Sequence, residues 1–177
     1  MNSAQFSVVE FRDRLVAAGL AGADDFVGCT DEEITAVVRA QRVIGLPALY
    51  RDFLAVMGKR PYPLMTGTDW AYQDLLGLRQ DAAELLDEND ADQAMLDDAL
   101  VIAMHQGYVV YYIPHASTAP ADPPVWTYVE GEEPAERFAT FRAFLLSLEE
   151  MRRREIATWR DVEATGRFSM TRVEDDG

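Results

Sequence analysis

The chain is short of reactive side chains. Among its 177 residues there is one cysteine, Cys29, two histidines, His105 and His115, and a single lysine, Lys59. A lone cysteine excludes an internal disulfide, and with it the bridge-dependent folds of small secreted proteins. One cysteine and two distant histidines also fall short of the four ligands that a structural zinc site collects. Nucleophilic hydrolysis needs a serine or cysteine held by an imidazole. Here His105 lies at an expected hairpin turn, His115 lies in a proline-rich loop, and no Gly-x-Ser-x-Gly elbow occurs. Neither the Gly-x-x-x-x-Gly-Lys-Ser/Thr phosphate loop nor a dinucleotide Gly-x-Gly-x-x-Gly is found. No apolar run reaches the roughly 18 residues of a membrane span. Residues Met1 to Glu10 lack the basic and apolar regions of a leader. These absences predict a non-catalytic, cytoplasmic protein with no cofactor and no metal.

What is present is apolar surface and negative charge. Hydrophobic residues make up 49% of the chain and aromatic residues 10%, enough for one core and one compact domain. Thirty-one acidic residues against 16 basic ones leave a net charge of −15, which repels nucleic acid and anionic membranes and attracts cationic partners. Arginine supplies 15 of the 16 basic residues, the usage of a GC-rich bacterial genome. The strongest local charge runs from Asp81 to Asp98, with eight carboxylates and no basic residue. Asp87, Glu88, Asp90, Asp92, Asp97 and Asp98 are the candidate partner-binding residues. A hard cation could sit among Asp87, Asn89, Asp90 and Asp92, but the loop lacks both the glycine and the closing glutamate of a calcium-binding hand.

Hydrophobic spacing and punctuation predict the elements. Ser7 caps a first helix through Ala18, with Phe11, Leu15 and Val16 on one face and Gly19 as its stop. Thr30 and Glu33 have capping-box spacing before a helix carrying Ile34, Val37 and Val38. Pro47 opens a helix to Met57, with Leu49, Tyr50, Phe53, Leu54 and Met57 on one face and Gly58 as a left-handed cap. Short strands or ordered loop are expected around Tyr62 to Met65 and Trp70 to Leu76, then a helix over Gln80 to Asn89. Ala99 to Met104 and Tyr108 to Ile113 read as a hairpin turning at Gly107, its second strand covered on both faces. After a loop from Pro114 to Pro124, Val125 to Val129 reads as a third strand. Pro134 is expected to open a final helix bearing Phe138, Phe141, Phe144, Leu145, Leu148 and Met151, continued through Arg152-Arg153-Arg154 toward Trp159 and ending in a polar tail from Thr165.

The order Leu46-Pro47-x-x-Tyr50-x-x-Phe53-Leu54 closing on Gly58, a hairpin with Gly107, an aromatic strand at Val125 to Val129, and Phe138-x-x-Phe141-x-x-Phe144-Leu145 resembles the SUKH superfamily. That superfamily includes bacterial immunity proteins against polymorphic toxins and fungal regulators of cell-wall synthesis. The resemblance covers roughly Thr30 to Met151. It implies a single α+β domain, an antiparallel sheet packed with helices, that binds another protein without catalysis. Residues 1–29 are then an N-terminal helical extension, 30–151 the SUKH-like domain, and 152–177 a C-terminal helical extension and tail. The partner is a toxin domain in the immunity reading, or a host protein in an alternative regulatory or scaffold reading. Both monomer and homodimer remain open. Where relatives carry a polar Asn-Gly-Gly-like turn after the Leu-Pro helix, this chain has Met57-Gly58-Lys59-Arg60-Pro61.

Overall fold

A computed structural model describes residues 6–61 and 64–165. The expected architecture holds: among the described residues six helices pack on one five-stranded antiparallel sheet whose strands follow chain order, β1-β2-β3-β4-β5. The strands are β1 (Thr68–Asp69), β2 (Leu100–His105), β3 (Val109–Ile113), β4 (Val125–Val129) and β5 (Ala135–Phe138). The helices are α1 (Val8–Ala17), α2 (Asp31–Ala40), α3 (Ala48–Phe53), α4 (Tyr72–Leu75), α5 (Leu78–Glu88) and α6 (Phe141–Thr165). Residues 166–177, most of the expected polar tail, and Tyr62 and Pro63 of the expected run before Met65 lie outside the described residues.

Local chemistry sets several boundaries as expected. Ser7 caps α1 by accepting from the Glu10 amide (3.3 Å), and Thr30 and Glu33 form a reciprocal capping box on α2 (3.3 and 2.9 Å). Gln106 and Gly107 both take positive φ, the geometry of a primed hairpin turn, between β2 and β3. Strand β3 sits in the middle of the sheet.

Three expectations are corrected. The chain after Pro134 first forms β5, which pairs with β4 through Trp126↔Glu136 and Thr127↔Ala135; helix α6 starts only at Phe141. Residues Trp70 to Leu76, expected as short strand or ordered loop, hold the one-turn helix α4. Gly58 is not a left-handed cap: Leu54–Gly58 widens into a π-helical turn. The cause is a backbone crossing. The Cys29 amide donates to Leu54 O (2.8 Å), and the Lys59 and Arg60 amides donate to Val27 O (2.9 and 3.1 Å), so this end of the helix is stitched to residues 27–29. Gly28 permits the approach, because a Cβ there would lie 1.9 Å from Ala55 O.

The core runs as a chain of rings. Phe53 stacks on Trp70 (5.5 Å between centroids), Phe141 meets Tyr50 and Phe53 edge-on (5.3 and 5.6 Å), and Phe144 joins Phe141, Phe138 and Tyr111 (5.7, 5.4 and 5.7 Å). This binds α3, α6, β3 and β5 together. The Tyr50 hydroxyl and the Trp70 indole N–H are buried without a partner among the described residues. By contrast Gln41, fully buried, has both ends of its amide hydrogen-bonded. A bulge at Ile102 frees the Val101 amide from the β2–β3 ladder; that amide donates to Gln41 Oε1 (3.0 Å), while Gln41 Nε2 donates to Leu75 O (2.8 Å).

Candidate functional site

The acidic run becomes a wall because α5 ends the way it does. Leu78, Ala82, Leu85 and Leu86 are buried on its inner side. At its end the Ala91 amide donates to Leu86 O (2.8 Å) and the Asp90 amide to Asp87 O (3.2 Å), the paired bonds of a Schellman cap. Asp90 holds the left-handed position of that cap, φ +52°, where glycine would be free of strain. The chain then reverses, and Asp92 caps a short 3₁₀ turn (Gln93–Leu96) by accepting from the Ala94 amide (2.9 Å).

Across from this wall stands the turn between β4 and β5. Gly131 (φ +79°) and the bond from the Glu132 amide to Val129 O (2.9 Å) set Glu132 and Glu133 on the exposed side of the turn. Between the two walls lies a groove of about 520 Å³, floored by Leu86, Met95, Tyr112 and Tyr128 and rimmed by Asp90, Asp92, Glu132 and Glu133. No arginine or lysine lines it. Val110 pairs with Tyr128 and Tyr112 with Trp126, which puts Tyr112 and Tyr128 on one face of the sheet. Burial pushes the Tyr112 phenol up to about 12, so it stays protonated at neutral pH.

The six carboxylates expected to bind a partner therefore divide. Asp90 and Asp92 line the groove, and Asp87 and Glu88 lie exposed at the adjoining end of α5. Asp97 and Asp98 lie elsewhere. Asp97 shares a separate cleft with Arg39, Arg42 and Arg79. Asp98 is committed internally: its carboxylate accepts from the Ser117 hydroxyl and amide, and its backbone oxygen from the Ala116 amide (2.6 Å). Glu132, Glu133, Tyr112 and Tyr128 were not singled out in the sequence as binding residues. The doublet Glu132-Glu133 lies between Gly131 and Pro134 in the sequence, but only the fold sets it opposite Asp90.

Other reactive groups are occupied or quiet. Burial, reinforced by Glu33 and only partly opposed by Lys59, pushes the Cys29 thiol up to about 11, away from a reactive thiolate. His105 Nδ1 lies 2.7 Å from Thr68 Oγ1, its cross-strand neighbour in β1, and His115 is exposed. No grouping of histidine, cysteine or acidic residues fit to hold a metal ion occurs among the described residues. No described helix is long and apolar enough to cross a membrane.

A second set of charges is fully partnered. Glu149 on α6, largely buried, accepts from Arg14 of α1 (2.6 Å) and from Arg153 one turn along (2.7 and 3.3 Å). Burial pushes its carboxyl up, but the two guanidiniums more than offset this and hold it below the usual range. Arg152 adds a bond to Leu20 O (3.3 Å), so α6 grips the N-terminal helix and the turn after it.

No curated protein and no solved structure matches the chain. A family model does match, that of the SMI1 / KNR4 family (SUKH-1), over residues 28–147. The match begins at the Gly28 crossing, takes in the Leu-Pro helix, all five strands and both walls of the groove, and ends within α6. With most of its length covered, this chain belongs to the SMI1 / KNR4 (SUKH-1) family.

Proposed function

We propose that this protein is a non-catalytic binding module that acts as an immunity protein, neutralising a bacterial toxin domain by covering its substrate site. The supporting observation is the uncompensated carboxylate face at the end of α5, with Asp87, Glu88, Asp90 and Asp92 continued across the groove by Glu132 and Glu133. Nuclease toxins bind phosphate backbones and so present basic sites. A carboxylate face of this density mimics phosphate and, on a chain of net charge −15, steers a basic partner inward. Family membership supports the same reading.

The test is to mix the protein with the toxin domain encoded beside its gene. We expect a complex whose association rate falls steeply as salt is raised, since screening acts over roughly 10 Å at 0.1 M. The triple variant Asp87→Lys/Asp90→Lys/Asp92→Lys should weaken the complex about a hundredfold, two to three lost attractions of about 1 kcal/mol each. Binding that ignores both salt and these substitutions would remove this face from the interface. A gene with no toxin neighbour, whose product co-purifies with a housekeeping protein, would favour the regulatory reading.

A further inference from the structure

The groove between the α5 cap and the β4–β5 turn holds more than charge, and its extra features point to the group it takes. Tyr112 and Tyr128 are 3% and 2% exposed, yet both line the groove. Among the described residues neither hydroxyl has a hydrogen-bond partner. Neither hydroxyl is sealed in the core as that of Tyr50 is, so each is the open tip of an otherwise buried side chain at the groove. Two of them in one groove, beneath four carboxylates and no cation, leave acceptors waiting for a donor that the chain itself does not supply.

We infer that the groove is the recognition pocket for an arginine side chain from an extended segment of the partner protein. This rests on the protein-binding reading above and names the chemistry of that contact. Arginine fits better than lysine on two counts. Its planar guanidinium carries five N–H donors in a fixed fork, able to serve carboxylates on both walls and phenol oxygens on the floor together, whereas an ammonium is a compact point charge. Its apolar stem suits a floor of Leu86 and Met95 beneath a polar rim. The volume, about 520 Å³, exceeds one side chain, leaving room for the flanking backbone of the segment that delivers it. Asp90, at the left-handed position of the α5 cap that aspartate and asparagine tolerate, lines the groove on the wall facing Glu132 and Glu133.

The experiment is an amide-resolved NMR titration of the full chain with three probes: acetyl-Gly-Arg-Gly-amide, its lysine counterpart, and spermidine. We expect the arginine peptide to shift the amides of residues 89–92 and 131–134 and to bind about tenfold more tightly than the lysine peptide. The double variant Tyr112→Phe/Tyr128→Phe should keep the fold, seen as an unchanged spectrum elsewhere, and lose about tenfold in affinity for the arginine peptide alone. Glu132→Gln/Glu133→Gln should weaken both peptides. Equal binding of the two peptides, shifts scattered over the acidic surface, or an unaffected tyrosine variant would overturn the inference. Tighter binding of spermidine would make the groove a polyamine site and overturn it as well. These outcomes are independent of the toxin mixture: a salt-sensitive toxin complex unaffected by the tyrosine variant would retain the immunity reading and discard the arginine pocket, while a positive peptide titration without a toxin complex would do the reverse.

Discussion

Two regions of this molecule concentrate carboxylates, and they are built oppositely. At Glu149 one largely buried carboxylate is gripped by Arg14, whose bond joins α1 to α6, and by Arg153 within α6. At the groove four carboxylates face one another over two tyrosines with no cation among the lining residues. The first arrangement is complete, and its charge is spent on holding helices together. The second is incomplete, and its charge is available only to something brought from outside. In a chain with 31 acidic residues, the count alone does not mark a site; whether the charge is already answered does.

The sharpest way to break this contrast is to neutralise each region and follow stability. Glu149→Ala should cost about 1–3 kcal/mol in urea denaturation, because charged hydrogen bonds are lost and two guanidiniums are left facing each other. Asp90→Asn with Glu132→Gln should leave stability unchanged or slightly raised, since it removes repulsion and asparagine tolerates the left-handed backbone of Asp90. Equal losses from both would show the groove acids to be structural. A smaller effect lies in acid. The folded Glu149 carboxyl titrates below its usual value of 4.5, so the stability it contributes is complete above that value and disappears as pH falls through the lower folded value. Glu149→Gln should therefore flatten the acid limb of the stability profile. Smallest is Tyr50→Phe, which removes a hydroxyl sealed in the core without a partner and should be neutral or stabilising by up to about 1 kcal/mol in the same denaturation. It should leave groove binding unchanged, unlike the same exchange at Tyr112 and Tyr128.

How much of this was legible in the sequence depended on whether the deciding contact was local. Ser7, the Thr30–Glu33 capping box, the Gln106-Gly107 turn and the apolar face of α5 act within a few residues and fell where their spacing put them, as did Phe141, Phe144, Leu145 and Leu148 of α6, whereas Met151, expected on the same face, is exposed. The start of α6 was misread because Phe138 satisfies a helical interval to Phe141 while also closing a four-residue edge strand, and only pairing with β4 selects the strand. Gly58 looked like a cap because the chain that crosses at Gly28 lies 30 residues away. The same limit governed the site. The α5 wall announced itself as a run of acids, whereas the facing wall is two glutamates whose meaning comes from the β4–β5 turn lying across from the end of α5, and the role of Gln41 depends on a bulge that no local pattern encodes.

The groove divides its labour between strands and loops. Tyr112 and Tyr128 are anchored in the sheet, but Asp90, Asp92, Glu132 and Glu133 stand on connections whose side chains support nothing beyond their own turns. Rewriting those four positions would therefore alter which residue is admitted without unsettling the packing beneath. A few loop substitutions would retarget the module, keeping its interior as inherited.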